Sequence, residues 1–294
     1  MANYNGDQAD GLRRLFGRSQ PRVVTFASGS TGVGKSVLVA NVASLLARQG
    51  KDVLILDENT KNTTANYFGA LARHDLLRVA NGEKSLTDVL VTAAPGIRIL
   101  PAAEAMRKLG VLSSQQQSIL VGSFAGLENA PDVILVDASL DHPLGFSPLG
   151  LAAHDTVIVI SASGDSITEA YALIKNVSLG YARKNFRILV SKVRSFEEAK
   201  AIYGNIAKVA RSRGVARLEF AGFVPQDDSL RQSSCLGQPV AGLFPEAPSS
   251  RAYGLIVNAL LSWPRPDGEA GGLGQFVQQL LHLSQHIDPQ PIYA

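Results

Sequence analysis

Gly29, Gly34, Lys35 and Ser36 stand at the spacing G-x-x-x-x-G-K-S/T, between the apolar run "RVVTF" and the amphipathic run Val37 to Leu46. That strand–loop–helix setting is the one in which this spacing builds a phosphate cradle. Glycines let successive backbone N–H groups converge on phosphate oxygens, and the start of the helix adds its partial positive charge. The candidate nucleotide-binding residues are therefore Gly29, Ser30, Thr31, Gly32, Val33, Gly34, Lys35 and Ser36. Lys35 suits the β and γ phosphates of ATP or ADP, and the Ser36 hydroxyl suits Mg2+. Two carboxylates extend the set. Asp57 closes "DVLILD" and Asp137 closes "DVILVD", so both are expected at carboxyl ends of strands, facing the crevice where α/β sheets bind ligands. Asp137 is the candidate acid for Mg2+, through a water, with Asp57 beside it. Each could instead cap the turn that follows.

The elements that must hold these groups are legible as apolar runs. "RVVTFA", "DVLILD", "IRILPA", "DVILVD", "TVIVIS", "FRILVS" and "LEFAGFVP" are unbroken rather than alternating, as parallel strands covered on both faces require. Stretches of helical length separate most of them. The fold class expected is α/β, a doubly wound and mostly parallel sheet in a single domain over 21–263. Residues 1–20 form a polar arm with a short amphipathic segment, and "PRPDGEAGG", 264–272, is a linker by its proline, glycine and charge. A C-terminal amphipathic helix and tail occupy 273–294.

Bulk composition narrows the function classes. The chain has 294 residues, 46% hydrophobic and 18% charged, enough apolar content for a substantial core. Net charge is +3, too small to argue for nucleic acid as a partner. Arg13, Arg14, Arg18 and Arg22 bunch near the front as a candidate solvated arm. Cys235 is the single cysteine, so no internal disulfide or cysteine metal cluster can form. With no leader-like segment and no apolar run of about 18 residues, a cytoplasmic protein is expected.

Four stretches resemble the MinD/ParA group of deviant-Walker P-loop ATPases: "SGSTGVGKS", "VLILDENTKNTTANYFG", "DSITEAYALIKNV" and "DQADGLR". The last matches the D-Q-A-x-x-L-R signature of the flagellar-number regulators of the FlhG/FleN branch. With "FVPQDDSLRQS" the resemblance covers nearly the whole chain. It implies a regulator of flagellar number or placement that acts on the signal-recognition-type GTPase FlhF through Asp7, Gln8, Ala9, Leu12 and Arg13. Gln8 would orient an attacking water, and Leu12, Leu15 and Phe16 would anchor a helix in a groove. A flagellar transcription activator or a switch (C-ring) protein is a further implied partner. The alternative reading is an active MinD/ParA-type ATPase that positions division or DNA-partition machinery.

Departures from the family pattern bear on turnover. The group's signature lysine, which reaches a partner's phosphates across an ATP sandwich, falls on Ser30. Its water-positioning aspartate falls on Asn59, whose amide cannot take a proton as a carboxylate does. A switch glycine falls on Asp141, and the base-reading asparagine on Ser191. The expectation is that ATP or ADP binds with Mg2+, that hydrolysis is weak or absent, and that a monomer prevails over a sandwich dimer. At the C-terminus, Leu273, Phe276, Val277, Leu280, Leu281, Leu283 and Ile287 share an arc of roughly 160°. In relatives such a helix is a reversible membrane anchor. This one carries no Lys or Arg, so two readings stand: weak peripheral contact at the inner face of the cell membrane, or permanent packing on the domain or a partner.

Overall fold

A computed structural model describes residues 21–61, 63–127, 129–140, 142, 146–264 and 273–286. The arm with Asp7, Gln8, Ala9, Leu12 and Arg13, as well as Asp141 and Ile287, lies outside the described residues.

Eight strands form one sheet: β1 (Arg22–Ala27), β2 (Val53–Asp57), β3 (Val91–Ala94), β4 (Ile97–Pro101), β5 (Val133–Asp137), β6 (Asp155–Ser161), β7 (Asn185–Val193) and β8 (Arg217–Pro225). Their order is β3-β4-β2-β5-β1-β6-β7-β8. Every neighbouring pair is parallel except β3 with β4. The expected mostly parallel α/β sheet is therefore present. β3 is the strand that the apolar runs did not announce. It is four residues long and only partly buried, and it returns through Pro95–Gly96, with Gly96 at φ 74°. A Pro-Gly pair before "IRIL" is the hairpin signal that marks it.

The main helices are α1 (Lys35–Arg48), α2 (Ser114–Ala125), α3 (Pro148–Ala152), α4 (Gly164–Tyr181), α5 (Phe196–Ser212), α6 (Asp228–Cys235), α7 (Pro248–Ser262) and α8 (Leu273–His286). The unbroken strands hide a period of two. Val23, Leu54, Ile134, Ile158 and Ile188 enter one core with α2, α4, α5 and α8. Their successors Val24, Ile55, Leu135, Val159 and Leu189 enter the other with α1 and α7. Both faces of a central strand are apolar because both are covered.

Register places the site. Asp137 pairs across β5 with Phe26 of β1 and with Asp57 of β2. Phe26, the penultimate residue of β1, thus lies level with the two carboxylates, with neighbours one interstrand spacing apart.

The C-terminal helix closes the apolar face of the sheet. Leu273, Phe276, Val277, Leu280 and Leu281 are all buried, against Met106, Phe124 and Leu149 among others. Gln278 and His282 face outward. Of the two readings held for these five residues, contact with lipid and packing on the domain, the structure has them packed in the core of the domain. Each such side chain contributes about 1.5–3 kcal/mol when withdrawn from water. Release therefore needs another apolar surface to receive the stripe.

Arg22 is likewise not part of a solvated arm. It is 4% exposed, binds Asp155 at 2.8 Å, and donates to the carbonyls of Trp263 and Pro264.

Candidate functional site

The loop between β1 and α1 has the backbone of an anion nest. Gly32 and Gly34 take φ 73° and 87°, a left-handed conformation that side-chain-bearing residues rarely adopt, with Val33 between them. Gly29 is required for a different reason. A Cβ there would lie 2.3 Å from the backbone of Glu169, because α4 packs its main chain directly on the loop. Lys35 opens α1 and is buried, and Ser36 follows in the same turn. No side chain caps this helix, so the first-turn N–H groups stay available to an anion.

Below the loop the two predicted carboxylates differ. Asp137 forms an ion pair with Lys35 and accepts from Thr64 Oγ1 at 2.9 Å. Asp57 spends both oxygens within the protein. Oδ1 accepts from the backbone N and Nδ2 of Asn59 at 3.0 and 2.9 Å, and Oδ2 accepts from Thr64 N at 2.5 Å. Both carboxylates thus have both oxygens engaged within the protein, and Asp137 is the one paired with the loop lysine. Burial, and next the neighbouring Asp137, push Asp57 up to about 6.

Asn59 donates its amide back to Asp57 and to the carbonyl of Asp137 at 3.2 Å. Its amide nitrogen braces the ends of β2 and β5. The Ser30 hydroxyl is buried without a hydrogen-bond partner among the described residues, so nothing at that position reaches outward toward a second copy. Ser191, at the position where the family pattern has a base-reading asparagine, bonds to backbone instead. Its Oγ lies 2.6 Å from the carbonyl of Val33 and 3.1 Å from that of Ile160, so its one proton is committed to backbone.

Glu58 is the site residue that motif reading missed. It is 2% exposed, accepts from Ser139 N at 3.0 Å, and is bonded by the hydroxyl of Ser147, the N-cap of α3. Burial raises its carboxyl to about 7, against the lowering effect of the Ser147 and Ser139 bonds. The signal was available in strand parity. Leu54 and Leu56 face the α4 side of the sheet, and two residues on Glu58 must follow them inward.

The residues present fit a nucleotide with Mg2+. The nest supplies N–H donors for phosphate, and Lys35 and Ser36 stand at the helix start. Among the described residues no group of three His, Cys, Asp or Glu side chains could hold a metal ion. A divalent cation would therefore rely on Ser36, on water held by Asp137 and on phosphate oxygens, which is how Mg2+ is usually bound. Beside the loop, a cavity of about 770 Å³ lined by Val33, Val37, Ser191, Pro225, Leu230 and Tyr253 has room for a base.

The family model "CobQ/CobB/MinD/ParA nucleotide binding domain" matches residues 24–240. The "Antiactivator FleN" of Pseudomonas aeruginosa is 30% identical over 92% of this chain and 97% of its own length. The chain belongs to the MinD/ParA family, in its FlhG/FleN branch. The "Flagellum site-determining protein YlxH" of Helicobacter pylori is 26% identical over 73% of each chain. Among solved structures, the MinD cell division protein of Aquifex aeolicus shares the fold. Its TM-score is 0.62 at 24% identity, over 84% of this chain and all of that one. No helix among the described residues is long and apolar enough to cross a membrane.

Proposed function

We propose that this member of the branch is a nucleotide-binding switch that sets flagellar number or placement. It binds ATP or ADP with Mg2+ at Gly29–Ser36 and turns ATP over slowly or not at all. The observation that carries this is the pairing of an intact nest, Lys35 and Ser36 with an Asn59 amide folded back on Asp57. The site keeps what holds an anionic tail and lacks a free carboxylate to take a proton from attacking water. The names of the FleN and YlxH relatives support the flagellar setting. In the cytoplasm, the segment with Asp7, Gln8, Ala9, Leu12 and Arg13 would engage an FlhF-type GTPase, and a flagellar transcription activator or C-ring protein would be a second partner. The protein acts as a monomer, because Ser30 offers no cation to a sandwich. Weak membrane contact by α8 is open to it only after the helix leaves its seat.

Calorimetric titration with ATP and ADP tests the central claim. Binding of both, lost in Lys35→Ala, together with negligible phosphate release and no ATP-driven dimer in light scattering, is the expected outcome. Rapid release by the pure protein would move it to the active division- or partition-ATPase reading. A peptide of residues 1–20 should accelerate GTP hydrolysis by an FlhF-type GTPase, and a Gln8→Ala peptide of equal potency would remove the assigned role of Gln8.

A further inference from the structure

Two consecutive residues at the end of β7 hold two consecutive carbonyls of the phosphate loop. Ser191 Oγ is 2.6 Å from the carbonyl oxygen of Val33, and Lys192 Nζ donates to that of Gly32 at 2.6 Å. The chain pays locally for this arrangement. Pairing of β7 with β8 slips between Ser191 and Val193, and Lys192, the residue in the slip, takes φ 58°. A lysine in the left-handed region is held there against a cost of about 1–2 kcal/mol, which persists only where surrounding contacts over-determine it. The bulge turns the lysine out of the ladder and onto the loop.

We propose that Ser191 and Lys192 are positioning residues, a clip that fixes the phosphate loop in its anion-binding shape before any nucleotide arrives. The argument follows from peptide geometry. In a trans peptide the C=O and N–H point in opposite directions, and the described residues contain no cis bond. Holding the Gly32 carbonyl toward β7 aims the Val33 N–H away from β7. Holding the Val33 carbonyl there aims the Gly34 N–H the same way. The sheet order puts β7 on one side of β1 and β5, with Asp137, on the other. Both amides therefore point toward the side on which Lys35 meets Asp137, where the charged end of a nucleotide belongs. Glycines at 32 and 34 give the loop this shape but also the freedom to lose it, and the clip removes that freedom. The lysine stem also borders the base-sized cavity and the neighbouring cavity along Gly29–Gly32, so one side chain ties the two halves of the site.

This inference rests on the nucleotide-binding reading, and its test separates the two. In full-length protein, Ser191→Ala, Lys192→Met and Lys192→Arg are compared by hydrogen–deuterium exchange without nucleotide and by titration with ATP and ADP. Lys192→Met keeps the stem and removes only the ammonium. Being exposed, it should leave the melting temperature close to wild type. It and Ser191→Ala should speed exchange of the loop amides and weaken ATP and ADP equally, by about tenfold each, the scale of one charge-assisted or buried hydrogen bond spent on preorganisation. Lys192→Arg should restore both. Unchanged exchange and affinity in both weakening variants would overturn the clip. So would a loss confined to ATP, which would make Lys192 a γ-phosphate ligand instead. A wild-type protein that takes up neither nucleotide, while its loop exchange still responds to Lys192→Met, would remove the nucleotide reading and keep the clip.

Discussion

At the amino ends of the strands, Arg22 and Arg187 share the carboxylate of Asp155 at 2.8 and 3.0 Å. Arg187 continues to Glu219 at 2.5 Å and lies 4.1 Å from the ring centroid of Trp263. At the carboxyl ends of the same sheet, Asp57, Glu58 and Asp137 are buried around a single lysine, Lys35. In the first cluster each arginine faces a carboxylate, Asp155 for both and Glu219 also for Arg187. The second sets three carboxyls around one lysine, and burial, helped by the neighbouring Asp137, raises two of them to about 6 and about 7. Paired charge fixes a structure, and here Arg22, held by Asp155, also donates to the carbonyls of Trp263 and Pro264 and so anchors the start of β1 to the end of α7. Mismatched buried charge is a state waiting for a partner, and a divalent cation with a phosphate tail at Lys35 and Ser36 would change its balance.

The contrast can be broken from the amino side first. Asp155→Ala removes the shared anion and leaves Arg22 almost fully buried without a counter-charge. We expect a loss of about 3–5 kcal/mol in urea unfolding, with nucleotide affinity unchanged. A loss near zero would mean that the rim contributes nothing to folding.

The carboxyl rim gives a smaller effect that depends on pH. Glu58 binds its proton more tightly in the folded protein, near 7, than at its ordinary value of 4.5. Its stability contribution is therefore full below about pH 4.5 and declines as pH rises toward 7. Asp57 acts with the same sign between 3.8 and about 6. For Glu58 the decline is on the order of 3 kcal/mol. Glu58→Gln should flatten that slope and be more stable than wild type at pH 8. A wild-type stability that rises across this window would contradict the burial argument. The smallest effect belongs to Glu219→Gln, in the arginine network but more than half exposed. It should cost about 0.5 kcal/mol, and less in high salt.

The sequence by itself determined what is written in adjacent residues. The spacing from Gly29 to Ser36 defines a nest because a phosphate loop is made from one short segment. Asp57 and Asp137 were placed at strand ends because an apolar run stops there, and the parallel sheet followed from runs that never alternate. Only the tertiary structure decided matters that depend on distant partners. It buried the stripe of α8 against Met106 and Phe124 instead of leaving it for lipid, and folded the Asn59 amide back between β2 and β5. It committed the hydroxyl of Ser191 to the carbonyl of Val33 in the loop, and gave Glu58 its role through Ser139 and Ser147, more than eighty residues away. The physical reason is the same in each case. A side chain's type limits which bonds it can make, but the competition among available partners is settled by packing that brings remote segments into contact.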